Sequence, residues 1–173
     1  LSGGPVTISN FGILGPGTYY ILFTEIGGAF NGCSTASAPF TINQSTNLLE
    51  VTEISSARVV ASYLSYGDEP VTKLLNRSLI EAGKTLLLPC INGSEMTWVK
   101  WNGDESQINH KTKISEPIGE PFTDLGAIDV VLVPALRMDS DGYRLGQGGG
   151  FYDRFLPKVS AWKIGLLHDG ELS

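Results

Sequence analysis

Residues 58–89 read RVVASYLSYGDEPVTKLLNRSLIEAGKTLLLP, and this stretch passes from strand-like to helical and back to strand-like periodicity. The near-continuous apolar run over Arg58–Leu64 is typical of a strand covered by helices on both faces. Pro70 suits the first turn of a helix, whose apolar residues recur at helical spacing until Gly83 can end it. Thr85–Pro89 predicts the next strand, so the stretch forms one strand–helix–strand unit with parallel pairing.

The same alternation continues along the rest of the chain. Apolar, β-branched runs predict strands over Thr97–Trp101, Ile128–Pro134 and Trp162–Leu167. Phe151–Leu156 predicts a helix between the last two of them. Strands that alternate with helices imply a mostly parallel sheet with right-handed crossovers, so the predicted fold class is a layered α/β domain.

Composition restricts the classes of function. The 173 residues are 42% hydrophobic and 17% charged, which suits one packed domain. A net charge of −6 without a run of Lys or Arg argues against nucleic acid, and no apolar stretch is long enough to span a membrane. Cys33 and Cys90 cannot form a disulfide framework or a four-ligand zinc site. We expect a cytoplasmic monomer that acts on a small molecule.

Charge is distributed unevenly along the chain. Of the 30 charged residues, 12 basic and 18 acidic, only Glu25 lies within residues 1–49. That segment contains β-branched and aromatic runs such as TYYILFTEI (residues 18–26), which predict short strands. It resembles, over about forty residues, the closing strands of Ig-like repeats in bacterial surface proteins. We therefore predict a β-rich appendage or foreign segment over residues 1–49, followed by an α/β domain over residues 50–173 that is truncated at both ends.

A glycine-rich turn, RLGQGGGFYDR at residues 144–154, lies between a predicted strand and a predicted helix. Four glycines within five residues allow the backbone amides to approach an anion closely, and a helix start adds unpaired N–H groups. Arg144 can neutralise negative charge there. We predict a phosphate-binding turn with a cavity beside it; an ordinary flexible turn is the alternative reading.

A second candidate feature is the acidic pair Asp68-Glu69, which follows the first predicted strand and precedes Pro70. In open parallel sheets, ligands bind at the carboxyl ends of the strands, where this pair would lie. A carboxylate next to a helix start can also cap the helix and interact favourably with its dipole. The residues alone leave both readings of Glu69 open.

Three stretches together resemble the 5-formyltetrahydrofolate cyclo-ligase family, also called 5,10-methenyltetrahydrofolate synthetases. They are ASYLSYGDEPVT (residues 61–72), ISEPIGEP (114–121) and VLVPALRMDSDGYRLGQGGGFYDRFL (131–156). The resemblance extends from about residue 55 to residue 173. It implies a three-layer α/β sandwich and an enzyme of one-carbon folate metabolism. Such an enzyme uses ATP and Mg²⁺ to close 5-formyltetrahydrofolate to the 5,10-methenyl form, releasing ADP and phosphate.

The resemblance also implies roles for individual residues. Arg144 and Tyr152 would be catalytic, and Asp153 would hold Mg²⁺. One continuous segment would wrap the ATP phosphates: Arg144, Leu145, Gly146, Gln147, Gly148, Gly149, Gly150, Phe151 and Tyr152. Two loops would meet the folate: Leu64, Glu69, Gln147, Gly148, Gly149, Gly150 and Phe151. Glu69 would accept two hydrogen bonds from the amino and imino groups of the pterin ring.

The chain departs from the family pattern at three places. Residues 1–49 contain no Lys or Arg that would replace the basic first helix of the family. We expect a second acidic ligand for magnesium to be missing, and Gln147 stands where many members of the family carry a basic residue. We therefore expect weak ATP binding and slow turnover. Two alternatives remain: a sugar-phosphate isomerase or CoA-transferase relative, and a non-catalytic hybrid of a surface-protein β segment and a cyclo-ligase fragment.

Overall fold

The computed structural model describes residues 19–24, 52–110, 114–139, 143–168 and 170–171. These residues form ten strands and three α-helices, together with short 3₁₀ turns. The strands are β1 (Tyr19–Thr24), β2 (Val59–Ala61), β3 (Thr85–Asn92), β4 (Glu95–Trp101), β5 (Ile108–Asn109), β6 (Glu116–Pro117), β7 (Val130–Pro134), β8 (Arg137–Met138), β9 (Arg144–Leu145) and β10 (Trp162–His168). The helices are α1 (Thr52–Ser56), α2 (Lys73–Glu81) and α3 (Phe151–Phe155).

The main sheet has six strands in the order β1-β10-β7-β2-β3-β4. Its four inner strands are parallel, whereas β1 and β4 at the two edges are antiparallel to their neighbours. Strand β4 is antiparallel because only Gly93 and Ser94 separate it from β3, a connection too short for a parallel crossover. The predicted mostly parallel α/β fold is confirmed.

Each face of the sheet carries its own hydrophobic core, which explains the continuous apolar runs of the inner strands. Successive side chains of a strand point to opposite faces. Val60 and Leu132 therefore pack with Leu75 and Leu79 on the side of α1 and α2. The second core, on the side of α3, contains the following residues among others: Ala61, Leu87, Val131, Val133, Phe155 and Leu156. Helices on both faces give the three layers that the family resemblance implies.

The N-terminal segment contributes at least one strand to this sheet. Strand β1 lies antiparallel to β10, with the register running from Tyr19 opposite His168 to Thr24 opposite Lys163. The run predicted as a strand of an appendage is thus an edge strand of the main sheet. The other strands predicted within residues 1–49 lie outside the described residues. The described part of the chain also contains no helix with the length and apolarity to cross a bilayer.

Several predicted boundaries differ from the structure. The first inner strand ends at Ala61 rather than Leu64, and the helix predicted from Pro70 begins at Lys73, after Thr72 at its N-cap. The helix predicted over Phe151–Leu156 continues as a 3₁₀ turn over Leu156–Lys158. Glu116-Pro117 forms the short strand β6. Hydrogen bonds of the Ser62, Thr72 and Asn76 side chains account for the first of these differences.

Buried polar side chains of α2 fix the loop that follows β2. The Tyr63 carbonyl accepts hydrogen bonds from Thr72 Oγ1 at 2.6 Å and from Asn76 Nδ2 at 2.9 Å. Ser62 Oγ donates to Asn76 Oδ1 at 2.6 Å. Ser62, Thr72 and Asn76 are all fully buried, so water cannot replace these bonds. The loop therefore leaves the ladder at Ser62 and is held against the start of α2.

We expect Asn76→Ala to destabilise the protein, because the Ser62 hydroxyl loses its buried acceptor and the Tyr63 carbonyl loses one of two donors. The free energy of unfolding should fall by about 1–3 kcal/mol, measured by urea denaturation. Arg77→Ala, an exposed substitution on the same helix, is the control and should change it by less than about 0.5 kcal/mol. Equal stabilities of the two variants would contradict the role of this network.

Candidate functional site

The loop after β2 and the glycine-rich turn after β9 meet at one edge of the sheet. Glu69, which is 8% exposed, lies close enough to the Gln147 side chain in the turn for Gln147 to favour the charged form of its carboxylate. The backbone N–H of Tyr66 donates to Glu69 Oε2 at 3.0 Å. Parallel strands β2 and β7 both end at this edge. The two features that the sequence singles out separately are therefore parts of one site.

Glycine is required in the turn by backbone conformation. Gly148 has φ of 90° and Gly150 has φ of 64°, values that side chains other than glycine rarely adopt. Gly150 is the N-cap of α3. Because α3 has only five residues, the turn offers an anion its own backbone amides rather than the dipole of a long helix.

Arg144 is held at the base of the turn by two hydrogen bonds and one ring contact. Its Nη2 lies 2.5 Å from Asp153 Oδ1, and its Nη1 lies 3.4 Å from the Pro134 carbonyl oxygen at the end of β7. The guanidinium carbon lies 5.5 Å from the centre of the Tyr152 ring. The side chain is 7% exposed, and its Nε has no hydrogen-bond partner in the described part of the chain. Arg144 thus retains a buried donor.

Tyr152 and Trp98 add two more buried donors. The Tyr152 hydroxyl and Trp98 Nε1 have no hydrogen-bond partner among the described residues, and their rings are T-shaped with centroids 6.2 Å apart. Burial, together with the negative charge of Glu69, raises the pKa of Tyr152 far above its usual range, although Arg144 opposes this effect. Tyr152 therefore keeps its proton and can act as a hydrogen-bond donor to a ligand.

The pKa of Glu69 is raised above its ordinary value of 4.5. Burial of the carboxylate is the largest cause, and the hydrogen bond from the Tyr66 backbone and the nearby Gln147 side chain oppose it. That bond leaves carboxylate lone pairs available, since an ionised carboxylate can accept about four hydrogen bonds. Glu69 is thus positioned as an acceptor at a site that otherwise presents donors.

Asp153 is the remaining candidate metal ligand of the turn. Its side chain is 66% exposed, and its Oδ1 accepts a hydrogen bond from Arg144. Within the described residues, no group of three or more His, Cys, Asp or Glu side chains lies close enough together to hold a metal ion. One exposed carboxylate still suits Mg²⁺, which is commonly held by one or two carboxylates together with substrate phosphates and water.

The other predicted residues occupy different surroundings. Phe151 lies under the guanidinium of Arg154, whose central carbon is 5.0 Å from the ring centre. Arg154 Nη2 donates to the Gly149 carbonyl at 3.1 Å and to the Ser94 carbonyl at 3.2 Å. Leu64 is partly buried and packs against the α2-side core, whereas Leu145 is 61% exposed. Phe151 therefore anchors the turn through Arg154.

Two cavities of the structure lie away from the turn, so neither of them is the cavity expected beside it. One, of about 380 Å³, is lined by Ile80, Lys84, Thr85, Leu86, Lys100, Trp101, Asn102 and Gln107. The other, of about 270 Å³, is lined by Glu53, Ser56, Ala57, Gly126, Ile128, Asp129, Ser160 and Trp162. No predicted site residue lines either. A Cβ added at Gly146 or Gly150 would lie 2.6 Å from Arg144 Nη1 or 2.7 Å from Arg154 Nη1, so arginine side chains occupy the space against the turn.

Sequence reasoning missed Tyr63, Trp98, Thr72 and Asn76. Trp98 lies within a strand pattern, where a tryptophan predicts only packing. Asn76 carries a signal, because an amide between Leu75 and Leu79 interrupts the apolar face of the predicted helix. The interruption predicts that the Asn76 amide is buried. It does not predict the hydrogen-bond partners of the amide, because Ser62 and Tyr63 lie in the loop after β2 and not in the helix.

The fold and the site define a three-layer α/β protein with a donor-rich glycine turn facing a buried carboxylate. A model of the "5-formyltetrahydrofolate cyclo-ligase family" matches residues 38–172. The chain belongs to this family. The predicted resemblance is confirmed, although the match begins at residue 38 rather than near residue 55.

Individual relatives agree with the family match. The chain is 35% identical over 126 residues to a 5-formyltetrahydrofolate cyclo-ligase of Mycolicibacterium smegmatis, covering 68% of this chain and 65% of the relative. It is 30% identical over 135 residues to the Escherichia coli 5-formyltetrahydrofolate cyclo-ligase, covering 73% and 74%. The solution structure of Aquifex aeolicus 5,10-methenyltetrahydrofolate synthetase superimposes with a TM-score of 0.62 at 28% identity, covering 72% and 64%. The chain spans about two thirds of the length of the first and third of these relatives.

The raised pKa of Glu69 predicts a pH-dependent gain in stability for Glu69→Gln. Folding favours the protonated form, so the stability that Glu69 contributes is present below its ordinary pKa of 4.5 and is lost as the pH rises through its folded-state pKa. Glutamine cannot ionise and can still accept from Tyr66. The variant should therefore unfold at higher urea than the parent near pH 7, and the difference should disappear near pH 4.

Glu81→Gln, which changes an exposed carboxyl group on α2, is the matched control and should not show this pH-dependent gain. A Glu69→Gln variant that is less stable than the parent near neutral pH would mean that hydrogen bonds to the carboxylate outweigh its burial.

Proposed function

We propose that this chain catalyses the ATP-dependent closure of 5-formyltetrahydrofolate to 5,10-methenyltetrahydrofolate, with release of ADP and phosphate. Membership of the cyclo-ligase family supports the reaction. The observation that carries the proposal is the proximity of Gln147 to Glu69, which brings the glycine turn next to a buried carboxylate. A triphosphate on the turn and a pterin on the carboxylate would then lie side by side.

The reaction needs this adjacency because a formamide oxygen is a poor leaving group. The formyl oxygen attacks the γ-phosphorus of ATP, the bond from that phosphorus to the ADP oxygen breaks, and ADP leaves. N10 of the folate then attacks the activated formyl carbon, and the carbon–oxygen bond breaks to release phosphate as the N10 proton is lost. Catalysis of such a transfer depends mainly on positioning and on stabilisation of charge.

The nucleotide half of the site would use the turn and its two flanking side chains. Backbone amides of Gly146–Gly150 would face the phosphates, and the Arg144 guanidinium would neutralise their charge. The Tyr152 hydroxyl remains protonated and would donate to an oxygen of the transferred group. A donor-only set of this kind suits phosphate oxygens, which accept hydrogen bonds and carry negative charge.

Asp153 would hold Mg²⁺, which when bound offsets the negative charge of the phosphates during transfer. In the structure, Asp153 and Arg144 neutralise each other across 2.5 Å. A phosphate that binds Arg144 and a cation that binds Asp153 would separate the pair without leaving either charge alone. We therefore expect metal and nucleotide to promote each other's binding.

The folate half of the site would use Glu69, Leu64 and the exposed side of the turn. Glu69 would accept from the amino and imino groups of the pterin, and the partly buried Leu64 would contact the ring. Gln147 and Gly148–Gly150 would meet the formyl end, between pterin and phosphate. Arg144 and Tyr152 would be the catalytic residues of the transfer.

Neither alternative reading gains support from the relatives. A sugar-phosphate isomerase or CoA-transferase assignment has no counterpart among the relatives described above. The non-catalytic hybrid also lacks support, because the family match begins at residue 38 and so includes part of the segment that was predicted to be foreign. We further infer that the protein acts as a monomer in the cytoplasm without nucleic acid or membrane partners, which its net charge of −6 supports.

Isothermal titration of two variants separates the two halves of the site. Arg144→Ala should weaken binding of a non-hydrolysable ATP analogue with Mg²⁺ by about 10- to 100-fold and leave 5-formyltetrahydrofolate binding within about twofold. Glu69→Ala should show the reverse. The absorbance of the methenyl product reports turnover, and a phosphosugar and a CoA ester are the ligand controls. Binding of either control ligand in place of folate would contradict the proposed function.

If phosphate and Mg²⁺ replace the two partners of the Arg144–Asp153 ion pair, the Asp153→Asn variant should respond differently to Mg²⁺. Without Mg²⁺, the variant should bind the ATP analogue at least as tightly as the parent, because Arg144 no longer has an anionic partner. With Mg²⁺, the parent should gain affinity whereas the variant should gain about tenfold less. If Asp153 only holds Arg144 in place, the variant will bind more weakly under both conditions.

A further inference from the structure

Arg154 is an exposed arginine of α3 whose side chain is tied to the glycine turn and to a second element. Its Nη2 donates to the Gly149 carbonyl in the turn and to the Ser94 carbonyl in the connection between β3 and β4. Its guanidinium also lies over the ring of Phe151. An arginine free in water would keep its rotamer freedom, which these contacts remove. Arg154 thus links the turn to a hairpin at the edge of the main sheet.

Arg154 binds two successive carbonyl groups of the turn. Its side chain binds the Gly149 carbonyl at 3.1 Å, and its backbone N–H donates to the Gly150 carbonyl at 3.2 Å. The described residues contain no cis peptide bond, and in a trans peptide the carbonyl and the following N–H point in opposite directions. The N–H groups of Gly150 and Phe151 therefore point away from the carbonyl contacts with Arg154.

The peptide between Gly149 and Gly150 needs such a contact to keep one orientation. Glycine adopts positive and negative φ about equally readily, and glycine flanks this peptide on both sides. Rotation of the peptide by half a turn would exchange its carbonyl and its N–H. An acceptor would then occupy the direction in which the turn presents a donor, and a carbonyl oxygen repels a phosphate oxygen. Local sequence alone does not prevent this rotation.

The packing under the turn shows how closely the peptide and its support approach. A Cβ added at Gly149 would lie 2.8 Å from ring carbons of Phe151, and one added at Gly150 would lie 2.7 Å from Arg154 Nη1. The turn therefore rests directly on the ring and the guanidinium. Within the part of the chain that the structure describes, the Gly150 N–H donates to no backbone acceptor outside regular elements. This donor is available to a ligand.

We propose that Arg154 is a positioning residue for nucleotide binding, which holds the Gly149 carbonyl and thereby aims the Gly150 N–H at the phosphates. The proposal rests on the proposed function, which puts ATP on this turn. Arg154 would not contact the reacting atoms. Its contacts are with the turn and the β3–β4 hairpin, whereas Glu69 lies on the loop after β2. Its loss should therefore weaken nucleotide binding and spare folate binding.

The variant Arg154→Lys tests the orientation while it keeps the charge. The lysine ammonium ends where the guanidinium has its central carbon, one bond short of Nη2, and it lacks a planar face for Phe151. Affinity for a non-hydrolysable ATP analogue with Mg²⁺, measured calorimetrically, should fall by about 3- to 10-fold. Affinity for 5-formyltetrahydrofolate should stay within about twofold. Arg77→Lys, an exposed substitution on α2, is the matched control and should change neither affinity.

Nuclear magnetic resonance of chain labelled with ¹⁵N-glycine reports the orientation directly. In the parent, a saturating concentration of the ATP analogue with Mg²⁺ should shift the Gly150 amide resonance and slow its hydrogen exchange. In Arg154→Lys, both effects should be much smaller at Gly150. The Gly146 amide, whose peptide Arg154 does not hold, should respond as in the parent. A general loss of structure would not act on one amide of the turn and leave another unchanged.

The outcomes separate this inference from the proposed function. If Arg154→Lys binds the analogue like the parent whereas Arg154→Gln binds it more weakly, only charge matters and the proposal is wrong. An unchanged response of the Gly150 amide in Arg154→Lys would also overturn it, as would equal losses of nucleotide and folate affinity. In each of these cases the proposed function stands. If the parent binds neither the ATP analogue nor folate, the proposed function fails and the assignment of Arg154 fails with it.

Discussion

The approach of Gln147 to Glu69 brings together two loops that are far apart in the chain, one after the inner strand β2 and the other after β9 of the small β8–β9 sheet. Each loop is supported separately, one by the buried Thr72 and Asn76 side chains and the other by Arg154 under the turn. The contact brings a carboxylate acceptor to a surface that otherwise presents donors. A ligand with both anionic and hydrogen-bond-donating groups suits such a surface better than a ligand of one kind.

The site keeps polar atoms that folding alone would not favour. The Tyr152 hydroxyl, Trp98 Nε1 and Arg144 Nε are buried without hydrogen-bond partners in the described ranges. Glu69 is buried as well, and its raised pKa reflects the unfavourable removal of its charge from water. Residues that are unfavourable for stability yet concentrated in one place are characteristic of ligand sites, because a bound ligand supplies the missing partners.

The fold could be predicted largely from periodicity, and the misses have specific physical causes. The inner strands are continuous apolar runs because both of their faces are buried, and this is visible in residues such as Val130–Val133. The direction of strand pairing is harder to predict from periodicity, because it depends on the connections: β4 is antiparallel to β3 because only a two-residue turn separates them. Likewise, nothing within Tyr19–Thr24 indicates that this run pairs with β10, since edge pairing depends on which surface is left open.

For the site, local sequence determines the turn but not its partners. Gly148 and Gly150 specify a backbone path with positive φ, and the motif around them identifies the family, because both depend on neighbouring residues in the chain. Which groups face the turn depends on how the sheet brings loops together. The pairing of Arg144 with Asp153, the approach of Gln147 to Glu69 and the burial of the Tyr152 hydroxyl are therefore tertiary properties. They arise because charge and hydrogen bonding act through space, whereas sequence patterns report only the spacing of residues along one element.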